Sequence, residues 1–401
     1  MTAAVAYDDA RARRNALLLA AAQACYGSST TILIATAGLV GAHLAPSMSW
    51  ATLPVSTFVI GTALTTMPIS LLMKRIGRRA GFMLGAVAGL VGALMAMAAI
   101  FTRNFPLFVF ATMFQGVYQA SASYYRFAAA DLASPAFRPK AISWVMTGGV
   151  AAALFGTLIV MGTADLFAPV LYAGSYAAMA LICVAGAAVL IGLDGHKVEE
   201  VAATAEPARP LLQIARQPRF AAAVVVGMLS YGIMNLVMTA TPVAMLGCGF
   251  GVRDSSWVIQ WHALAMFVPS FFTGHIIARF GTERVAAFGM LLLASAGISG
   301  LIGIRFENFA IGLILLGLGW NFGFIGATTM LTGCYAPSER NKAQGLNDFV
   351  VFTVTAAASL SAGKLLAWLG WNAVNIAVFP MALVALAMLG WLVTRPRAAA
   401  V

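Results

Sequence analysis

Apolar residues fill this chain in long blocks, and polar residues are confined to the gaps between them. Twelve blocks stand out, at about 15–43, 51–73, 80–102, 106–127, 141–164, 170–193, 219–246, 256–278, 285–304, 309–331, 345–369 and 373–394. Most hold roughly 20 or more residues, the length a helix needs to cross a bilayer. Each is read as a membrane-spanning helix. The longest gap, 194–218, reads DGHKVEEVAATAEPARPLLQIARQP and is charged and rich in Ala and Pro. It reads as a linker. The pattern therefore predicts an all-α membrane protein of twelve transmembrane helices. A six-helix half at 1–193 is joined by the linker at 194–218 to a second half at 219–401.

Composition excludes a soluble protein. The chain of 401 residues is 61% hydrophobic and 9% charged, against about 25% charged in soluble domains. No cleavable signal peptide is expected, because Asp8, Asp9, Arg11, Arg13 and Arg14 precede the first block without a cleavage site. The four cysteines form neither a CxxC nor a zinc pattern. The net charge of +11 is explained by position. With a cytoplasmic N-terminus, twenty Lys and Arg fall on inner loops and only Arg103, Arg253, Arg305 and Lys364 fall outside. Cations accumulate on the cytoplasmic side of membrane proteins, so both termini and the linker are expected there. The partner implied is a lipid bilayer, not nucleic acid.

An internal repeat supports two halves. Tyr26-Gly27 recurs as Tyr231-Gly232, and Ala35-Thr36 as Ala240-Thr241, both at an offset of 205. Arg75-Ile76-Gly77 recurs as Arg279-Phe280-Gly281, and Pro135 to Ala141 is echoed by Pro337 to Ala343. Paired six-helix halves are the major facilitator arrangement. The stretch Met73-Lys74-Arg75-Ile76-Gly77-Arg78-Arg79 resembles the loop between spans 2 and 3 of the major facilitator superfamily, with Ser70 and Lys74 where that family has Gly and Asp. Such a fold implies a secondary transporter that works by alternating access. No Ser/His/Asp set, paired buried carboxylates or phosphate loop appears, so an enzyme is not expected.

The most distinctive stretch is Tyr231 to Met266. Met234 and Met238 share one face of span 7, and His262 and Met266 share one face of span 8, by i, i+4 spacing. Counted from the turn between these antiparallel helices, Met238 and His262 lie at similar depth. About one M-x-x-x-M is expected by chance among 20 methionines, and Met packs well between helices. A mid-span His is costly and usually faces the bundle interior. Thioethers and imidazole suit copper. On the pattern alone the quartet reads as packing, with a set of metal ligands as the alternative.

Met234-x-x-x-Met238 followed by His262-x-x-x-Met266 resembles the CcoA-type copper importers of bacterial inner membranes. The resemblance implies copper import into the cytoplasm for haem–copper oxidase assembly, with copper as substrate, no cofactor and a cytoplasmic acceptor protein. Met245 and Cys248 at the outer end of span 7, and Cys25 on span 1, are weaker candidate ligands. A competing reading is a carrier of a small organic solute such as riboflavin, which would use Trp257, Trp261, Trp320 and Asn321. Asp348 with Asn347 reads as a first-turn carboxylate or a proton site. Tyr124, Tyr125 and Arg126 read as an interfacial anchor.

Overall fold

A computed structural model describes residues 8–46, 50, 53–131, 133–194 and 209–394. Most of the 194–218 linker, with His196 and Lys197, and the cations Arg395 and Arg397 lie outside the described residues. Among the described residues the fold is helical, without strands. The elements are α1 (Asp9–Leu44), α2 (Leu53–Ile76), α3 (Arg78–Phe101), α4 (Phe105–Ala122), α5 (Tyr125–Asp131), α6 (Arg138–Thr163), α7 (Ala173–Ile191) and the short α8 (Leu211–Ala215). They continue with α9 (Pro218–Gly247), α10 (Val252–Phe267), α11 (Ser270–Phe280), α12 (Thr282–Ile302), α13 (Phe306–Thr332), α14 (Arg340–Ile376) and α15 (Val378–Thr394).

Nine described stretches are long and apolar enough to cross a membrane. One of them, Pro337–Thr394, runs 58 residues. A continuous helix of that length would reach about 87 Å, nearly three hydrocarbon thicknesses. It turns at Gly370, whose φ of 80° breaks the helix, so it supplies two spans. The bent pair α10 and α11 supplies another. The last is α4, made more polar by Gln115 and Gln119. Twelve spans result.

Local sequence starts the helices where they start. Asp8 accepts hydrogen bonds from the amides of Ala10 and Arg11 at the head of α1. Asn104 does the same for Leu107 in α4. Pro139 and Pro218 sit in the first turns of α6 and α9, where a missing N–H costs nothing. Gly77 and Gly281 head α3 and α12 with nearly identical backbone angles, φ 88° and ψ 160° against φ 87° and ψ 154°. Positive φ is cheap only for glycine.

The chain divides into two compact units. The first is Met1–Phe137 with Trp144–Glu206 and Arg340–Phe349. In it α4 packs on α2 and α3, and α7 packs on α3 and α1. Tyr118, Tyr124, Tyr125 and Tyr176 are all fully buried. Tyr124 donates its hydroxyl to the Thr66 carbonyl at 2.9 Å. The Arg126 guanidinium pairs with Asp348 at 2.6 Å, both buried. Asn347 donates to the same carboxylate oxygen at 2.7 Å. Arg78 bonds Asp131 at 2.8 Å and also Gln344. The Tyr124–Tyr125–Arg126 run is thus buried, and not an interfacial anchor. Its cation is held by a carboxylate 222 residues away in sequence.

The second unit is Arg138–Ser143 with Pro207–Glu339 and Val350–Val401. Its central helix is α13, which packs against α9, α10 and α12. At one end Glu339 receives Arg209 at 2.7 Å, and Arg209 also donates its backbone amide. These bonds hold the Glu339 carboxyl down at about 2.

Candidate functional site

Span 8 is broken at its middle. α10 and α11 meet at a bend of 43°, and Pro269 lies between them. Proline removes an N–H from the helical ladder and kinks it. Asn321 on α13 bridges the break. Its Nδ2 donates to the Met266 carbonyl and to Ser270 Oγ, each at 2.6 Å. Thr273 Oγ1 donates to its Oδ1, also at 2.6 Å. Every hydrogen-bonding atom of this buried amide is used on the two sides of one break. Broken helices in transporters lie where substrates bind.

Above the break, α10 lies against α13. A Cβ at Gly317 would come within 2.7 Å of the His262 carbonyl, so the small residue permits the close approach. His262 is buried, and its Nδ1 lies 2.8 Å from the Leu313 carbonyl. A carbonyl only accepts, so Nδ1 carries the proton. Nε2 of the neutral ring is then a lone pair. Nε2 has no partner among the described residues.

An aromatic cluster stands beside it. Trp320 stacks on Phe324 with centroids 5.2 Å apart. The Tyr231 ring meets Trp320, Phe324 and Phe352 edge-on at 5.5, 5.2 and 6.0 Å. Phe267, the last residue of α10, meets Trp320 at 5.8 Å. Trp320 is buried, and its Nε1–H also lacks a partner among the described residues.

The four residues first read as metal ligands lie on α9 and α10, which touch. Met234, His262 and Met266 are buried, and Met238 is half-buried. Met245 is fully buried, Cys248 is exposed beyond the end of α9, and Cys25 is half-buried in the first unit. Among the described residues, no three His, Cys, Asp or Glu side chains are grouped to hold a metal. Of the residues named for an organic solute, Trp320 and Asn321 are buried, whereas Trp257 and Trp261 are exposed on the outside of α10. The sequence reading passed over Tyr231 as a site residue. Its repeat partner, Tyr26, also sits edge-on to a buried ring, Tyr118, and that shared Tyr-Gly pair was the available signal.

Comparison with known proteins gives the family. The riboflavin transporter RfnT of Brucella anthropi is 45% identical over 375 residues, covering 93% of this chain and 94% of that protein. The uncharacterized MFS-type transporter YddS of Bacillus subtilis is 29% identical over 88% of this chain and 85% of its own. Among solved structures, the human organic anion transporter MFSD10 shares the fold with a TM-score of 0.75 at 14% identity, over 94% of this chain and 99% of that one. The resemblance to CcoA-type copper importers, and copper import with it, is overturned by the similarity to RfnT. Four matched positions on two helices count for less than a likeness along 375 residues. The methionines of the quartet are of the kind that fills gaps between helices, and the His262 imidazole is already fixed through one nitrogen by Leu313. The Major Facilitator Superfamily model matches residues 17–260 and 224–401, and this chain, a transporter and not an enzyme, belongs to that superfamily.

Proposed function

We propose that this protein carries riboflavin, or a closely related flavin, across the bacterial inner membrane into the cytoplasm by alternating access. The observation that carries the reading is the 45% identity to a riboflavin transporter along nearly the full length of both chains. The buried aromatic cluster of Tyr231, Trp320 and Phe324 agrees with it, since flat ring systems bind between aromatic side chains. The two six-helix halves, the inner membrane and the cytoplasmic termini follow from the repeat and from the distribution of Lys and Arg. The bilayer is the lasting partner, and no cofactor is required.

The test is growth of a bacterial strain that neither makes nor imports riboflavin. With this protein in its membrane, the strain is expected to grow on low micromolar riboflavin and to accumulate the labelled vitamin. No growth and no accumulation, with the protein present in the membrane, would overturn the reading.

A further inference from the structure

Of three buried side-chain atoms in the second unit that have no partner among the described residues, Asn375 Oδ1 lies far along α14, and the other two are of opposite kind. His262 Nε2 is an acceptor, because Nδ1 spends its proton on Leu313. Trp320 Nε1 is only ever a donor. A buried polar group left unpaired is costly, and each such group in a native protein calls for an explanation. Both residues sit along the contact between α10 and α13. His262 bonds α13 at Leu313, and Trp320 lies on α13 with its ring against Phe267 of α10. His262 and Phe267 are five residues apart, roughly 7–8 Å along the helix. Side chains lean toward a helix N-terminus, which tips the indole back toward the His262 level. The rings of Tyr231 and Phe324 enclose the same indole.

We infer that His262 and Trp320 form a specificity-determining pair that reads the polar edge of a flat heteroaromatic substrate. His262 Nε2 accepts a ring N–H, Trp320 Nε1–H donates to a ring carbonyl or nitrogen, and the aromatic cluster covers the ring face. An imide offers such an edge, with one N–H flanked by carbonyls, and the isoalloxazine ring of riboflavin ends in one. Both protein atoms are covered in this conformation, so the edge enters as alternating access opens the helices. The inference rests on the riboflavin reading and deepens it.

The experiment methylates the substrate's imide nitrogen, which removes the N–H without touching the protein. Uptake of labelled riboflavin is measured in cells against unlabelled riboflavin and against N3-methylriboflavin as competitors. The wild type is expected to bind the methylated competitor about tenfold more weakly, the worth of one well-made hydrogen bond to a buried group. His262→Asn keeps a donor at the δ position for Leu313 but has no ε nitrogen, and here the two competitors should fall within about twofold. Trp320→Phe keeps the ring and should weaken both competitors alike, with the methyl penalty intact. Equal competition by both compounds in the wild type overturns the inference, and so does a full tenfold gap in His262→Asn; the transport reading survives either result. A wild type that takes up no riboflavin removes both.

Discussion

Two regions of the molecule, one in each unit, differ in the polar groups they bury. The region around α5 in the first unit pairs charges: Arg126 with Asp348 in full burial, and Arg78 with Asp131 half-buried. Around its broken span the second buries neutral groups, and uses every atom of one (Asn321) while leaving one atom each of two others (His262 and Trp320) unmatched. A buried charge with a lost partner is strongly destabilising, so a charged pair resists change. A neutral acceptor or donor left open is far cheaper and can be filled by a visitor. Of the two kinds of burial, the charged pairs are the costlier to break.

The largest expected effect tests the charged region. Asp348→Ala strands the Arg126 guanidinium in a buried site and should cost about 3–5 kcal/mol, read as a collapse of folded protein in detergent melting curves. Arg126→Met combined with Asp348→Leu should restore much of the loss, because apolar replacement of both partners is often neutral. A single mutant as stable as wild type would erase the contrast. Asn321→Leu comes next. It leaves the Met266 carbonyl and the Ser270 hydroxyl without the Asn321 amide, while Thr273 keeps the Pro269 carbonyl, and should cost about 2–3 kcal/mol by the same measurement.

Glu339 sharpens the comparison, because its charged pairing lies in the short 3-10 turn Pro337–Glu339 that leads into α14. Its carboxyl is held at about 2 by Arg209, below the ordinary 4.5. A depressed carboxylate contributes stability above its unfolded value, and that contribution is lost as pH falls from about 4.5 through about 2. Glu339→Gln should therefore cost about 1.5 kcal/mol at pH 7 and nothing below pH 2, a convergence that acid melting series would reveal. The smallest effect belongs to the methionines. Met234→Leu and Met238→Leu conserve volume and should cost less than about 1.5 kcal/mol, with riboflavin uptake near wild type. A large loss of uptake in either would give the thioethers a role beyond packing.

The membrane-spanning pattern was legible because one scale, hydropathy over about 20 residues, decides it. The break in span 8 was not, because Pro68 and Pro242 lie within unbroken helices and Pro269 looks no different in sequence. What stayed hidden was pairing between distant residues. Two tyrosines and an arginine at the end of span 4 look alike in sequence whether they face headgroups or a carboxylate on α14, and only Asp348 tells them apart. The sequence places His262 in mid-span facing the bundle interior, and the structure buries it there. The Leu313 carbonyl that sets its tautomer leaves no mark in the sequence. Among 20 methionines about one M-x-x-x-M arises by chance, so Met234 and Met238 alone carry little information.

Span 8 shows what its clasp means mechanically. A proline break ordinarily works as a swivel, with one half of the helix free to pivot on the other. Here a single amide on α13 grips the carbonyl above the break and the hydroxyls of Ser270 and Thr273 below it. The swivel is pinned, so the 43° angle becomes a fixed dimension of the part, like the elbow of a bracket. Through those bonds α13 is tied to both arms of span 8 at once, and neither arm can turn at the break without breaking at least one of them.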